Sequence, residues 1–195
     1  MKILVFADSH KDVETMVKVA EYEKADVICH CGDHLADALE LEKYIDVPLY
    51  CVAGNTDEVE ADLYEKRVTI CGKRFLLTHG TEMGSHGRDV MKFFDGLSLY
   101  DTVDIILFGH SHEPLINGFF YDEGNNCFKR KWLFNPGSIK PVTWVRCKES
   151  GQWHEHQVTS SYGLIHLDED TDDIRCELVK VPEHLMGCPR PLKEV

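Results

Sequence analysis

Five apolar stretches in the first 112 residues stop in the same way, each on a short polar signature. KILVFA runs into Asp8-Ser9-His10, and VICHC into Gly32-Asp33. LYCVA runs into Gly54-Asn55-Thr56-Asp57, RFLLT into His79-Gly80, and IILF into Gly109-His110-Ser111-His112. Apolar runs this short suit strands buried on both faces. In an open α/β sheet, sites form in the crevice beyond the carboxyl ends of the strands. Five such ends would bring carboxylates, imidazoles and one amide to a single crevice. Taken singly, Asp8, Asp33 or Asn55 could each cap a following helix, and His79 suits a hydrogen-bonded core position. Taken together, those explanations need several unrelated coincidences at one end of one sheet.

Between the stretches the periodicity changes. Val13, Met16, Val17, Val19 and Ala20 fall at helical spacing, which predicts a helix over 13–24 between strands at 2–7 and 27–31. A second helix is expected over 36–44 and a third strand over 48–52. This β-α-β-α-β order predicts a layered α/β fold. Next comes a hairpin around Gly72 (67–70 and 74–78), then a helix over 89–95 and a strand over 105–108. From residue 115 onward the chain is β-rich, with strands expected at 115–121, 127–134, 162–167 and 174–181. These read as a second sheet stacked on the first. The prolines at 182, 189 and 191 predict an irregular tail over 182–195 of a single domain spanning 1–195.

Composition narrows the function classes. Lys and Arg total 21 against 34 Asp and Glu, a formal charge of −13 that repels duplex nucleic acid. No apolar run has membrane-spanning length, and MKILVF enters a strand directly, with no signal peptide. The eight cysteines form no C-x-x-C pair. They read as reduced core residues of a cytoplasmic protein. Cys29-His30-Cys31 accordingly reads as strand alternation rather than a thiolate site.

The ordered set D-x-H, G-D, G-N-x-D, H-G and G-H-x-H resembles the calcineurin-like metallophosphoesterase superfamily. MKILVFADSH, the THG ending at Gly80, and NPGS at 135–138 resemble its small phosphodiesterase branch, which shares its fold with a retromer subunit. The resemblance covers 1–140 well and 161–181 more loosely. It implies a four-layer α/β/β/α sandwich of two stacked sheets, with the metal site at strand C-terminal ends. It also implies ligand roles. Asp8, His10, Asp33 and His112 hold one metal. Asp33, Asn55, His79 and His110 hold the other, with Asp33 bridging. Asn55, Asp57, His79 and His110 are then the catalytic candidates, Asp57 by orienting its loop or a neighbouring histidine.

The expected activity is hydrolysis of a small phosphodiester by a hydroxide activated between two divalent ions. Mn²⁺ is the first choice, with Zn²⁺, Ni²⁺, Fe²⁺, Co²⁺ or Mg²⁺ as alternatives. Two other readings stay open: a phosphomonoesterase, and a non-catalytic scaffold for protein–protein interaction. A homo-oligomer also stays open, because the branch often forms one and β-rich halves have edges that pair.

Two departures stand out. Larger members of the superfamily carry a histidine where this chain has Thr56. Threonine cannot act as a general acid near neutral pH, so poor leaving groups should suffer most. Residues 140–160 replace the short link expected after NPGS. They read as an exposed loop over the crevice, with Trp144 and Trp153 available to stack on a substrate ring. His154-Glu155-His156 reads as part of that loop rather than a third metal site. Arg88 reads as a surface residue.

Overall fold

The computed structural model describes residues 1–81, 103–122, 128–146 and 151–187. β1 (Lys2–Phe6), β2 (Val27–His30) and β3 (Leu49–Cys51) run parallel. β11 (Ser161–Leu167) pairs antiparallel with β1, and β12 (Ile174–Lys180) with β11. The first sheet therefore has the order β12-β11-β1-β2-β3. The second contains β4 (Glu65–Ile70), β5 (Lys73–Thr78), β6 (Ile105–Leu107), β7 (Leu115–Asp122) and β8 (Phe128–Asn135), in the order β4-β5-β6-β8-β7. β5, β6 and β8 are parallel.

Strand alternation sorts the apolar side chains into two cores. Ile3, Val5 and Ala7 of the first sheet pack with Phe75, Leu77, Ile105, Leu107 and Phe134 of the second. Leu4, Phe6 and Ile28 point the other way, toward Met16, Val19 and Leu41 of the helices. Helix α1 (Val13–Glu23) starts where the Asp12 side chain accepts the Thr15 N–H, and ends at Lys24 in the left-handed region. Helix α2 (Leu35–Leu41) has no cap from its own His34. Asp57, after β3, supplies the missing acceptor: its Oδ1 lies 2.9 Å from the Leu35 N–H. On the far face of the second sheet, Leu76, Ile106 and Leu133 are also buried, as a further covering layer requires. The helix expected over 89–95 lies outside the described residues, as does Arg88.

Two expectations change. Residues 161–181 do not join the second sheet; they extend the first. The reason is legible in burial: Tyr162 and Leu164 enter the helix-side core while Ile165 and Leu167 enter the inter-sheet core. A strand buried on both faces belongs beside β1 rather than at an edge. Residues 140–160 are not a bare loop. They form an antiparallel hairpin of β9 (Val142–Arg146) and β10 (Trp153–Gln157), a two-stranded sheet of its own. Thr143, Trp144 and Val145 are β-formers, which favours pairing over loop. β10 is exposed throughout, with Trp153 at 63%.

Candidate metal centre

Parallel β1, β2 and β3 end beside parallel β5 and β6 of the facing sheet, so the five polar signatures converge. The Asp8 N–H donates to the Gly32 carbonyl at 3.0 Å, and the Gly109 N–H to the His79 carbonyl at 3.0 Å. The turns carry unusual backbone: φ is 53° at Asp8, 42° at His10, 55° at Asp33, 68° at His110 and 56° at His112. Such left-handed residues each cost on the order of 1–3 kcal/mol and persist only where their surroundings hold them. The glycines have different reasons. Gly32 itself has φ 92°. Gly54 and Gly109 permit close approach. A Cβ on Gly54 would strike the Asp33 carboxylate, and one on Gly109 would lie 2.8 Å from Asp8 Oδ2.

One donor group is Asp8, His10, Asp33 and His112, whose ligating atoms all lie within 4.8 Å of one another. His10 Nε2 is 3.0 Å from His112 Nε2, and His112 Nε2 is 3.4 Å from Asp8 Oδ1. Beside it, Asn55 Oδ1 lies 2.9 Å from His79 Nε2 and 2.9 Å from His110 Nδ1. Asp33 divides between the two groups. Its Oδ2 is 3.7 Å from His10 Nε2, and its Oδ1 is 3.1 Å from His79 Nε2.

The electrostatics suit cations. Burial, reinforced by the neighbouring His112, pushes the His10 imidazole down to about 4, so it is neutral at pH 7 with a lone pair to give. Burial also lowers His110. Burial works against the Asp33 carboxylate, yet the hydrogen bond and charge of His79, with His10 and the Thr56 N–H, hold its carboxyl well below the usual range. Burial likewise opposes charge on His79, but the Asp33 hydrogen bond and the Asp8 charge outweigh it and raise the ring's pKa. Neutral imidazoles beside ionised carboxylates are the forms that bind metal. His79 Nδ1 faces the Cys31 carbonyl at 2.9 Å. That contact occupies Nδ1 and aims Nε2 at Asp33 Oδ1 and Asn55 Oδ1, where a bound cation would take the place of the Nε2 proton. The group of Asp8, His10, Asp33 and His112 could therefore hold a divalent ion.

The model of the Calcineurin-like phosphoesterase superfamily domain matches residues 1–170. The chain belongs to this superfamily. Among curated relatives of the chain, the probable metallophosphoesterase YsnB of Bacillus subtilis (strain 168) is 28% identical over 178 residues, covering 90% of this chain and 89% of its own. The probable metallophosphoesterase MG207 of Mycoplasma genitalium is 28% identical over 146 residues, covering 72% and 78%. Among solved structures, Vps29 of Entamoeba histolytica complexed with zinc has a TM-score of 0.60 at 16% identity, covering 93% of this chain and 100% of its own. A predicted phosphoesterase of Streptococcus pneumoniae TIGR4 has a TM-score of 0.52 at 19% identity, covering 92% and 97%. At these identities the structures establish the shared fold.

The side chains at the seven expected ligand positions gather at one place. Asp57 does not face the donor cluster. Its Oδ2 accepts the Gly54 N–H at 2.9 Å while Oδ1 caps α2, so it ties the Asn55 turn to the Asp33 turn. Thr56 braces as well: its N–H donates to Asp33 Oδ1 at 3.2 Å and its Oγ1 accepts the His34 N–H at 3.3 Å. The His34 ring meets the His10 ring edge-on, with centroids 5.2 Å apart. The buried thiols of Cys29 and Cys31 point into the inter-sheet core, away from any ligand role.

Several bracing residues escape a reading of the sequence. Asn135 Nδ2 donates to the Gly109 carbonyl at 2.9 Å and to Ser111 Oγ at 3.1 Å. Ser138 Oγ donates to the Asp8 carbonyl at 2.9 Å, and Lys140 Nζ to the His10 carbonyl at 3.4 Å. The motif N-P-G-S was the available signal, but it named no partner.

Proposed function

We propose that the chain is a phosphodiesterase working with two divalent ions, Mn²⁺ first among them. The observation that supports this most is the division of the Asp33 carboxylate between two donor groups. Asp8, His10, Asp33 and His112 would hold one ion; Asp33, Asn55, His79 and His110 the other. Four imidazoles favour a transition metal over Mg²⁺, which prefers oxygen and water. When bound, the ions would supply Lewis acidity and a water acidic enough to ionise at a pH near ~7. Two carboxylates against two dications leave local positive charge, which draws an anionic phosphodiester into an otherwise acidic molecule.

The chain's own residues then orient and select. Asn55, His79 and His110 line the second group, where an incoming phosphoryl oxygen would meet them. The Thr56 hydroxyl, which accepts the His34 N–H, is far too weak an acid near neutral pH to protonate a departing alkoxide. Activated aryl diesters should therefore turn over faster than alkyl monoesters. Comparing kcat/KM for bis-p-nitrophenyl phosphate and a sugar phosphate tests this; faster sugar phosphate hydrolysis contradicts it. The β9–β10 hairpin starts two residues after Lys140, which contacts the His10 turn, and so is placed to shape substrate choice.

The second reading, a scaffold, draws on the fold shared with Vps29. A scaffold tolerates lost ligands, whereas all seven positions here carry a competent donor. Among the described residues no helix is long and apolar enough to cross a membrane. Free thiols at Cys29, Cys31, Cys51, Cys71 and Cys176 support a reducing, cytoplasmic setting.

A further inference from the structure

Ser9 stands between two members of the first donor group, yet its hydroxyl is fully buried and bonds elsewhere. Its Oγ lies 2.8 Å from Asp37 Oδ2, on α2, and 3.1 Å from His30 Nε2, on β2. Asp37 Oδ2 also accepts the Lys11 N–H at 2.6 Å. The direction of the chain follows from donor chemistry. A carboxylate only accepts, so Ser9 gives its one proton to Asp37. Ser9 can then only accept from His30, which must carry its proton on Nε2. Burial keeps the His30 ring neutral at pH 7, so Nδ1 is bare and faces the Gly32 N–H at 3.4 Å. The Asp33 carbonyl is a second, longer partner of Ser9 Oγ at 3.3 Å. None of these side chains was singled out by the motifs as a ligand.

We propose that Asp37, Ser9 and His30 form a positioning relay that sets the spacing between the Asp8-Ser9-His10 turn and the Gly32-Asp33 turn. The proposal rests on the metal-centre reading above. The two turns carry three of the four donors of the first ion, and φ is left-handed at Asp8, His10, Lys11 and Asp33. Backbone of that kind needs external restraint. The relay supplies it from behind: Asp37 holds the exit of one turn through Lys11, Ser9 holds its centre, and His30 reaches the entry of the other. Partners of this sort behind a metal site orient the ligands they touch.

The relay is tested by calorimetric titration of Mn²⁺ into the metal-stripped wild type, Ser9→Ala, Asp37→Ala and Asp37→Asn. Ser9→Ala and Asp37→Ala should each weaken one Mn²⁺ site about 10- to 100-fold. Asp37→Asn keeps an acceptor oxygen for both Ser9 and Lys11 and should stay near wild type. Variants that lose thermal stability while binding both ions as wild type does would overturn the relay as a positioning device. An apo-protein readout separates this from the metal reading itself. Long-range ¹H–¹⁵N correlation should show His30 protonated on Nε2 in wild type, and a ring protonated on Nδ1 would overturn the relay. A wild type with the expected tautomer but no Mn²⁺ binding would instead remove the metal-centre reading, and the positioning role with it.

Discussion

His110 and His112 occupy the turn after β6, one residue apart, and their rings part company. His110 Nδ1 lies 2.9 Å from Asn55 Oδ1, while His112 Nε2 lies 3.4 Å from Asp8 Oδ1. On a two-ion centre, His110→Ala and His112→Ala should each weaken a different ion. Isothermal titration with Mn²⁺, paired with the metal content of dialysed protein, would show which step is lost. Loss of the same step in both variants would contradict the assignment. At this scale the donors were legible because each closes an apolar run, and a donor at the end of a buried strand has few structural uses. Their braces were not. Ser138 meets Asp8 across 130 residues, and Asn135 meets Gly109 across 26. No local pattern encodes contacts made by the fold itself.

At the scale of elements, Asp104 ties three neighbouring strands of the second sheet. It accepts from the Arg74 N–H at 2.8 Å and the Arg74 guanidinium at 2.8 Å and 3.1 Å, with Lys131 Nζ 3.6 Å away. Burial opposes its charge, but the Arg74 hydrogen bonds and the two cations hold its carboxyl down to about 2, from an ordinary 3.8. A lowered folded-state pKa gives stability that is present above pH ~4 and lost as pH falls toward ~2. Asp104→Asn should cost about 1 kcal/mol at pH 7 after screening is allowed for, and much less at pH 2. Urea unfolding at the two pH values checks this; an equal cost at both would contradict it.

The elements also show what local pattern reveals and what it hides. Strand positions followed from apolar runs and helix α1 from its spacing. The 3₁₀ turn Glu42–Tyr44 that ends the α2 region, and the sheet to which β11 belongs, depend on packing partners distant in sequence. Strand β10 hid behind its polar, exposed residues. Its ends are closed by the Val158 N–H on the Pro141 carbonyl at 2.9 Å. Replacing 143–157 by a short turn should therefore leave the melting temperature nearly unchanged. It should alter the ratio of kcat/KM between aryl diesters with small and bulky second ester groups. An unchanged ratio would remove the hairpin from substrate choice.

Over the whole molecule, two sheets pressed face to face leave one place where parallel strands of both end together. That place collects Asp8, Asp33 and Asn55 from the first sheet and His79, His110 and His112 from the second. The topology explains why residues spread from 8 to 112 form one centre. It also explains why a chain of charge −13 can attract an anion there, provided cations are bound. The most direct measurement is the rate of bis-p-nitrophenyl phosphate hydrolysis by chelator-treated protein before and after Mn²⁺ is restored, with Asp8→Asn and His110→Ala run alongside. A rate that appears with Mn²⁺ in wild type and falls by orders of magnitude in both variants is the predicted result. A Mn²⁺-loaded wild type no faster than those variants would contradict catalysis and leave the fold serving as a scaffold.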